Sequence, residues 1–371
     1  MRILFLSRAN PPVIGGIEKQ NFEICKALST QVELRSVVNT RGKKFLLPFM
    51  FIAVSKSFRL RKDYDVILLG DGVLAIIAFI IRYFSRVPIV CIVHGLDITY
   101  DNFLYRKIWL KCFFRCIDHF IAVGNETIRQ AGKRGLDTRK FFFVPNGVDT
   151  GQPYREHDKK DLRQLLGFEP KGPVLLSLGR LVKRKGVLWF IKNVMPALDP
   201  STVYIIAGDG REAEQIRQAI KSSPAARRVH MMGRVSEADK KLLLSSVDLF
   251  IQPNVKVPDD MEGFGLVVLE AALHARPVVA SRLEGLKDAV TEGKNGILLE
   301  PENSELYIRT IEKLLESPSE LKEMGRNTRS FVLAHCSWQK VAERYLQIVE
   351  NIVKSARNEK NRSQHKKMRS D

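Results

Sequence analysis

The sequence predicts two α/β domains in tandem, each built on a doubly wound parallel sheet. Three observations carry this. Short apolar runs alternate with helical patterns over residues 2–145, a polar stretch interrupts them, and the same alternation restarts at residue 173. Alternating strand and helix signals point to parallel sheets with helices on both faces. A chain of 371 residues, 45% hydrophobic, has enough apolar surface for two cores.

In the first domain, 1–150, the strand signals fall at 2–7, 32–38, 65–69, 88–93, 119–123 and 141–145, with helical patterns such as 18–29 and 103–116 between them. Residues 151–172 turn polar and charged around Pro153, Pro170 and Gly172, which reads as an interdomain linker. The second domain, 173–338, repeats the pattern with strands at 173–178, 202–207, 229–232, 248–252, 277–280 and 296–299. A C-terminal helix is expected over 339–354. The basic residues 355–371 have almost no apolar partners and read as a disordered tail. Two such sheets facing one another would place a ligand cleft at the carboxyl ends of their strands.

Composition narrows the function classes. Cys25, Cys91, Cys112, Cys116 and Cys336 are scattered and odd in number, as expected for reduced thiols of a cytoplasmic protein. Cys112 and Cys116 share a helical spacing but lack further zinc ligands. The chain opens directly on a strand, so no signal peptide is expected, and no apolar run reaches membrane-spanning length. The net charge of +19 is concentrated, with about +11 in 1–150, +3 in 151–353 and +5 in the tail. Nucleic acid, an anionic membrane or a phosphate-bearing substrate would each suit it. Basic and apolar residues are interleaved at 43–52, 58–62 and 105–115, where they would suit either a bilayer interface or a buried face with cations reaching outward.

Four segments carry candidate chemistry. Gly15 and Gly16 follow the first strand and open a helix, where a backbone could approach an anion. Their spacing is not that of the GxGxxG dinucleotide fingerprint. Gly179 and Arg180 follow the first strand of the second domain, and with Lys185 they can present two cations to a diphosphate. Asp209, in Gly208-Asp209-Gly210, reads as a structural turn residue. The sharpest segment is Glu262-Gly263-Phe264-Gly265-Leu266, continuing to Glu270. Its glycines free backbone N–H groups at a helix start to bind phosphate. Glu262 would face a sugar, and Glu270 could accept hydrogen bonds from ribose hydroxyls. A capping acid followed by an ordinary surface glutamate would give the same pattern.

Glu262 and Glu270 resemble the E-x7-E motif of retaining nucleotide-sugar glycosyltransferases with two Rossmann-like domains facing a central cleft, the GT-B fold. Gly179-Arg180 with Lys185 is similar to that family's diphosphate-binding pair. Gly15-Gly16 is similar to its N-terminal loop, and the segments Pro277-Val278-Val279-Ala280-Ser281 and Pro145-Asn146-Gly147-Val148-Asp149 also match.

The resemblance implies a donor site in which Arg180 and Lys185 neutralise the leaving diphosphate and Glu262 contacts the sugar. Gly263, Phe264, Gly265 and Leu266 would bind through their backbone, Glu270 would hold the ribose, and Val235 would meet the base. It also implies that His94, at a first-domain strand end, hydrogen-bonds the transferred sugar, with Asp97 orienting its loop.

The implied function is retaining transfer of a sugar from a nucleotide diphosphate sugar to a glycan or lipid-linked acceptor, in cell-surface glycan or glycolipid synthesis. No cofactor and no metal are expected: Asp259-Asp260 reads as a loop, and Arg180 and Lys185 can do a metal ion's work. Binding to the cytoplasmic face of an anionic membrane is expected, and nucleic-acid binding is not. The alternatives are a sugar-nucleotide epimerase of similar architecture, or a basic nucleic-acid-binding protein that would leave Glu262 and Glu270 idle.

Overall fold

A computed structural model describes residues 1–12, 15–151, 154–155, 157–258 and 260–367, and divides the chain into two compact units. Unit 1 is Met1–Gly147 together with Trp338–Asp371, and unit 2 is Val148–Ser337.

Unit 1 holds β1 (Arg2–Ser7), α1 (Gly16–Ser29), β2 (Glu33–Val38), α2 (Leu46–Arg59), β3 (Val66–Leu69), α3 (Ala75–Ile81), β4 (Ile89–Val93), α4 (Leu96–Thr99), β5 (His119–Ala122), α5 (Asn125–Lys133) and β6 (Phe141–Phe143). Among the described residues its sheet has the order β2-β1-β3-β4-β5-β6, all parallel, with Leu4 opposite Arg35 on one side and Ile67 on the other. Central strands are apolar on both faces because helices cover both. One face buries Leu4, Leu6, Ile67, Leu69, Cys91 and Val93 against Phe49 and Ala53 of α2 and Ile77 and Ile81 of α3. The right-handed crossover rule puts α1 on the opposite face.

Unit 2 holds α6 (Arg163–Leu166), β7 (Val174–Leu178), α7 (Val187–Asn193), β8 (Val203–Ala207), α8 (Ala213–Ser222), β9 (Val229–Gly233), α9 (Glu237–Ser246), β10 (Leu249–Gln252), α10 (Leu266–Leu273), β11 (Val278–Ser281), α11 (Leu286–Ala289), β12 (Ile297–Leu299), α12 (Ser304–Leu315) and α13 (Pro318–His335). Its parallel sheet runs β12-β11-β10-β7-β8-β9. The strand order reverses between β7 and β10, so the two chains leaving those strands diverge and open a crevice at their carboxyl ends. Gly179, Arg180 and Lys185 follow β7, and Glu262 follows β10.

Three expectations are corrected. The helix expected over 103–116 is a π-helical turn at Tyr105–Leu110 followed by a 3-10 turn at Phe113–Cys116. Tyr105 stacks on Trp109, which meets Phe113 edge-on and donates its indole N–H to the Val73 carbonyl. Seating that aromatic series, with Phe114 in the core, takes a wider turn and then a tighter one than an α-helix provides. The linker expected over 151–172 is partly folded into unit 2. A capping box of Asp158 and Asp161 starts a 3-10 turn that buries Leu162 completely, and Lys159 pairs with Asp248 at 2.7 Å. Gln152, Pro153 and Glu156 of that stretch lie outside the described residues.

The tail expected from 355 is instead helical to Lys367, the end of α14 (Trp338–Lys367). Trp338, Val341, Ala342, Tyr345, Val349 and Val353 are buried on this helix, which packs along α1. Once that face is anchored, each further residue adds a hydrogen bond without a new nucleation cost, and an Arg357–Asp65 ion pair at 3.0 Å helps carry it on. Among the described residues no helix is long and apolar enough to cross a membrane.

Because Tyr345 is fully buried and hydrogen-bonded to Gln20 of α1, Tyr345→Ala is expected to destabilise unit 1 by about 3–5 kcal/mol. Denaturant unfolding followed by circular dichroism would measure this, and an unchanged midpoint would show that α14 is not part of the unit 1 core.

Candidate functional site

In unit 2 the site begins with a backbone constraint. Gly186 is left-handed (φ 65°), and a Cβ there would lie 1.8 Å from the Pro253 carbonyl oxygen. Only glycine allows the turn Lys183–Lys185 to sit so close to the chain leaving β10, and the Val255 N–H donates to the Arg184 carbonyl at 2.9 Å to fasten it. This contact carries Lys185 to Glu262. Its Nζ lies 2.5 Å from Glu262 Oε2, with Arg184 Nε at 3.7 Å, and all three side chains are nearly buried.

Glu262 is held at three further points. Asn254 Nδ2 donates to its Oε2 at 3.2 Å, and Gln252 Nε2 and Ser281 Oγ in turn hold Asn254 through its side-chain and backbone oxygens. The Glu262 N–H donates to Glu284 Oε2 at 2.6 Å, while its carbonyl accepts from the Gly285 N–H at 3.1 Å. Arg184 Nη1 reaches Asp260 at 3.2 Å. Burial pushes the Glu262 carboxyl up, but Lys185 first and then Arg184 outweigh it and hold the group below the ordinary carboxylate range.

Phe264 is buried, and Gly265 caps α10 in the left-handed region (φ 91°), where a Cβ would meet Leu286 Cδ2 at 2.6 Å. Gly263 and Leu266 are half-buried around it. The first N–H groups of α10 therefore open where Glu262 is fixed. Arg180 is exposed and has no ion pair among the described residues. It lines a hollow with Gly179, Lys185, Gln252 and Pro253. A polyanion there would meet Arg180 directly and share Lys185 with Glu262, since an ammonium has three donors. Glu270 is the fifth residue of α10, with Lys240 at 3.6 Å, and Val235 precedes the Ser236 cap of α9. Asp209 accepts the Gly210 N–H at 2.8 Å, a turn contact. Asp259 lies outside the described residues.

In unit 1, His94 ends β4 and is buried. Its backbone N–H donates to Asp97 Oδ2 at 3.0 Å, and its Nε2 lies 2.9 Å from the Gly70 carbonyl. A carbonyl only accepts, so Nε2 carries a proton and Nδ1 is the nitrogen left for a ligand. Beside it Asp71, fully buried, accepts from Arg8 Nε and from the Val73 N–H, both at 2.9 Å. Burial pushes the Asp71 carboxyl up against the opposing pull of Arg8. Gly15 and Gly16 stand exposed at the start of α1. Gly15 is extended (φ 175°), which any residue adopts, so the left-handed freedom that makes glycine special is not used there.

Sequence reasoning passed over Arg184, Asn254, Glu284, Arg8 and Asp71. Arg184 sat inside a basic run that resembles a solvated loop, and Asp71 inside an apparent Gly-Asp-Gly turn. Glu284 carries a geometric sign of strain, a φ of 46° for a non-glycine residue, and its carboxylate grips the Glu262 backbone.

Removing Lys185 leaves Glu262 buried without its nearest cation. Lys185→Met is expected to cost about 3 kcal/mol at pH 7, as breaking a buried pair does. The sign follows from the depressed carboxyl: its contribution is present above the ordinary carboxylate pKa and fades as pH falls through the lower folded value. The gap in melting temperature between wild type and Lys185→Met should therefore be widest near neutrality and narrow toward pH 4. A gap that widened on acidification would contradict this account.

Two family models match the chain: Glycosyltransferase Family 4 over residues 14–152 and Glycosyl transferases group 1 over residues 158–331. A GDP-mannose-dependent monoacylated alpha-(1-6)-phosphatidylinositol monomannoside mannosyltransferase of Corynebacterium glutamicum is 25% identical, over 94% of this chain and 98% of its own. A UDP-Gal:alpha-D-GlcNAc-diphosphoundecaprenol alpha-1,3-galactosyltransferase of Escherichia coli is 24% identical, over 74% of this chain and 72% of its own. Anabaena HepE in complex with UDP superposes with a TM-score of 0.74 at 22% identity, over 95% of this chain and 100% of that one. With glycosyl transferases group 1 matching its second half and Glycosyltransferase Family 4 its first, the chain is a nucleotide-sugar glycosyltransferase of the GT-B fold.

Proposed function

We propose that this glycosyltransferase is a retaining, metal-independent enzyme whose donor is held in unit 2, with Glu262 and Glu270 as the two acids of its E-x7-E motif. The observation that carries the reading is the buried Lys185–Glu262 pair beside the exposed Arg180, at the strand ends where the sheet order reverses. In this reading Arg180 and Lys185 neutralise the charge growing on the departing diphosphate, where fixed cations in a dry site act most strongly. Glu262 hydrogen-bonds the donor sugar, backbone N–H groups from Phe264 to Leu266 meet sugar hydroxyls or phosphate, and Glu270 holds the ribose. Val235 meets the base, and Gly15-Gly16 contributes backbone to the donor. His94 offers Nδ1 to the transferred sugar. The bond between the anomeric carbon and the diphosphate oxygen breaks as an acceptor hydroxyl attacks from the same face, and the hydroxyl proton leaves with the diphosphate. No enzymic nucleophile is needed, so a two-carboxylate glycosidase scheme is not assigned.

A thermal-shift panel of UDP, GDP and ADP sugars tests the donor assignment. One donor should stabilise the wild type. Arg180→Ala should weaken the nucleoside diphosphate by about tenfold or more, the loss expected for a charge-assisted hydrogen bond. Product NMR should show the donor's anomeric configuration, and EDTA should leave the rate unchanged. An inverted product, or activity lost to EDTA and restored by a divalent cation, overturns the corresponding part.

The acceptor reading is a glycan or lipid-linked hydroxyl reached from an anionic membrane surface. The two mannosyl- and galactosyltransferase relatives are named for lipid-linked acceptors. In unit 1, α2 exposes Leu47 and Phe51, and the chain after His94 exposes Leu96, Tyr100, Phe103, Leu104 and Ile108, with Lys43, Lys44, Arg106 and Lys107 nearby in sequence. Large exposed apolar side chains among cations suit an anionic interface. The protein should co-sediment with anionic but not neutral vesicles at low salt, and Phe51→Asp should reduce that binding severalfold. Equal binding to neutral vesicles would remove the electrostatic part of the reading.

A further inference from the structure

Lys240 projects from α9, and its Nζ stands 2.8 Å from Glu237 and 3.6 Å from Glu270 of α10. The two contacts differ in kind. Glu237 is 79% exposed and one turn away on the same helix, so its pairing is a solvated surface contact. Lys240 and Glu270 are only 16% and 17% exposed, and water screens their attraction much less. Glu270 is the single charged residue of an otherwise apolar helix, between the buried Leu269 and Ala271, and it stands past the first turn, where the helix dipole favours a carboxylate. A half-sequestered carboxylate in that setting requires counter-charge, and α9 supplies it.

The same helix starts beside Val235, which the donor reading places at the base. Ser236 and Asp239 close a reciprocal cap at the start of α9, with the Asp239 N–H on Ser236 Oγ at 3.1 Å, and this sets the turn immediately after Val235. The Gly208 N–H donates to the Gly233 carbonyl at 2.7 Å and ties that turn to the end of β8. Val235 and Lys240 are thus carried on one rigid element, with Lys240 reaching across to Glu270.

We propose that Lys240 is a positioning residue for the nucleoside half of the donor: it keeps the Glu270 carboxylate charge-balanced and aimed so that Glu270 accepts the ribose 2′ and 3′ hydroxyls. The proposal rests on the reading of Glu270 as the ribose-binding acid. A carboxylate has about four lone-pair sites, so an ammonium at ion-pair distance balances its charge without exhausting them. Neither sequence spacing nor any motif connects residue 240 to residue 270; only the packing of α9 beside α10 does.

The test compares dissociation constants of UDP, GDP and ADP with those of their 2′,3′-dideoxy counterparts, for wild type, Glu270→Gln, Lys240→Met, Lys240→Arg and Glu237→Gln. The ratio of dideoxy to ribo affinity is taken within each variant, so it does not depend on how much of that variant is folded. The wild type should prefer the ribonucleotide it binds, and Glu270→Gln should abolish the preference. Lys240→Met should cut the preference about tenfold, the range of a charge-assisted hydrogen bond. Lys240→Arg should restore most of it, and Glu237→Gln should leave it unchanged. A wild-type ratio in Lys240→Met beside a lost one in Glu270→Gln overturns the proposal and leaves the ribose reading standing. A wild-type ratio in Glu270→Gln overturns the ribose reading and the proposal with it.

Discussion

The charge balance at Glu262 is the constraint on which the rest of unit 2 depends. A carboxylate this deeply placed survives only with cations at hand, and those cations come from the loop after β7, while the acid comes from the loop after β10. Meeting that demand forces the two loops together, which is why Gly186 presses against Pro253 and why the carbonyl of Arg184 is tied to Val255. The strand order supplies the opening, and the ion pair then fixes what lines it.

Around that pair the polar side chains form a continuous scaffold. Tyr307 meets Ser281, Ser281 holds the Asn254 carbonyl, Asn254 holds Glu262, and Glu284 grips the Glu262 backbone in a strained left-handed conformation. Such a network holds the glutamate in one geometry from several sides at once. The site in unit 2 is thus built from ordinary terms: glycine positions that permit close approach, a buried carboxylate that is paired, and a cation beside it.

Unit 1 follows the same logic with different chemistry. Asp71 is buried beneath the strand ends and offset by Arg8, and the carbonyl next to it takes the Nε2 proton of His94. The ring is thus oriented by backbone and by buried charge, leaving one nitrogen for a ligand. The aromatic run after His94 is half in the core and half exposed, so one segment both completes the unit and presents an apolar surface.

The sequence by itself determined the strands, because two-sided burial writes each of them as a short apolar run and all twelve fall within a residue or two of where that pattern puts them. It also singled out Arg180, Lys185, Glu262, Glu270 and His94, which the fold places at strand ends or on the loops and helices that follow, since glycine turns mark those places. Tertiary structure alone decided the pairings. That Lys185 binds Glu262, that Glu284 and Asn254 steady it, that Lys240 reaches Glu270 and that Gly70 claims one nitrogen of His94 all follow from packing between elements distant in sequence, and local residue pattern carries no record of which distant neighbour a side chain will meet. The helical course of α14 past residue 354 was decided the same way, by a face anchored on α1 from which a polar helix could simply continue.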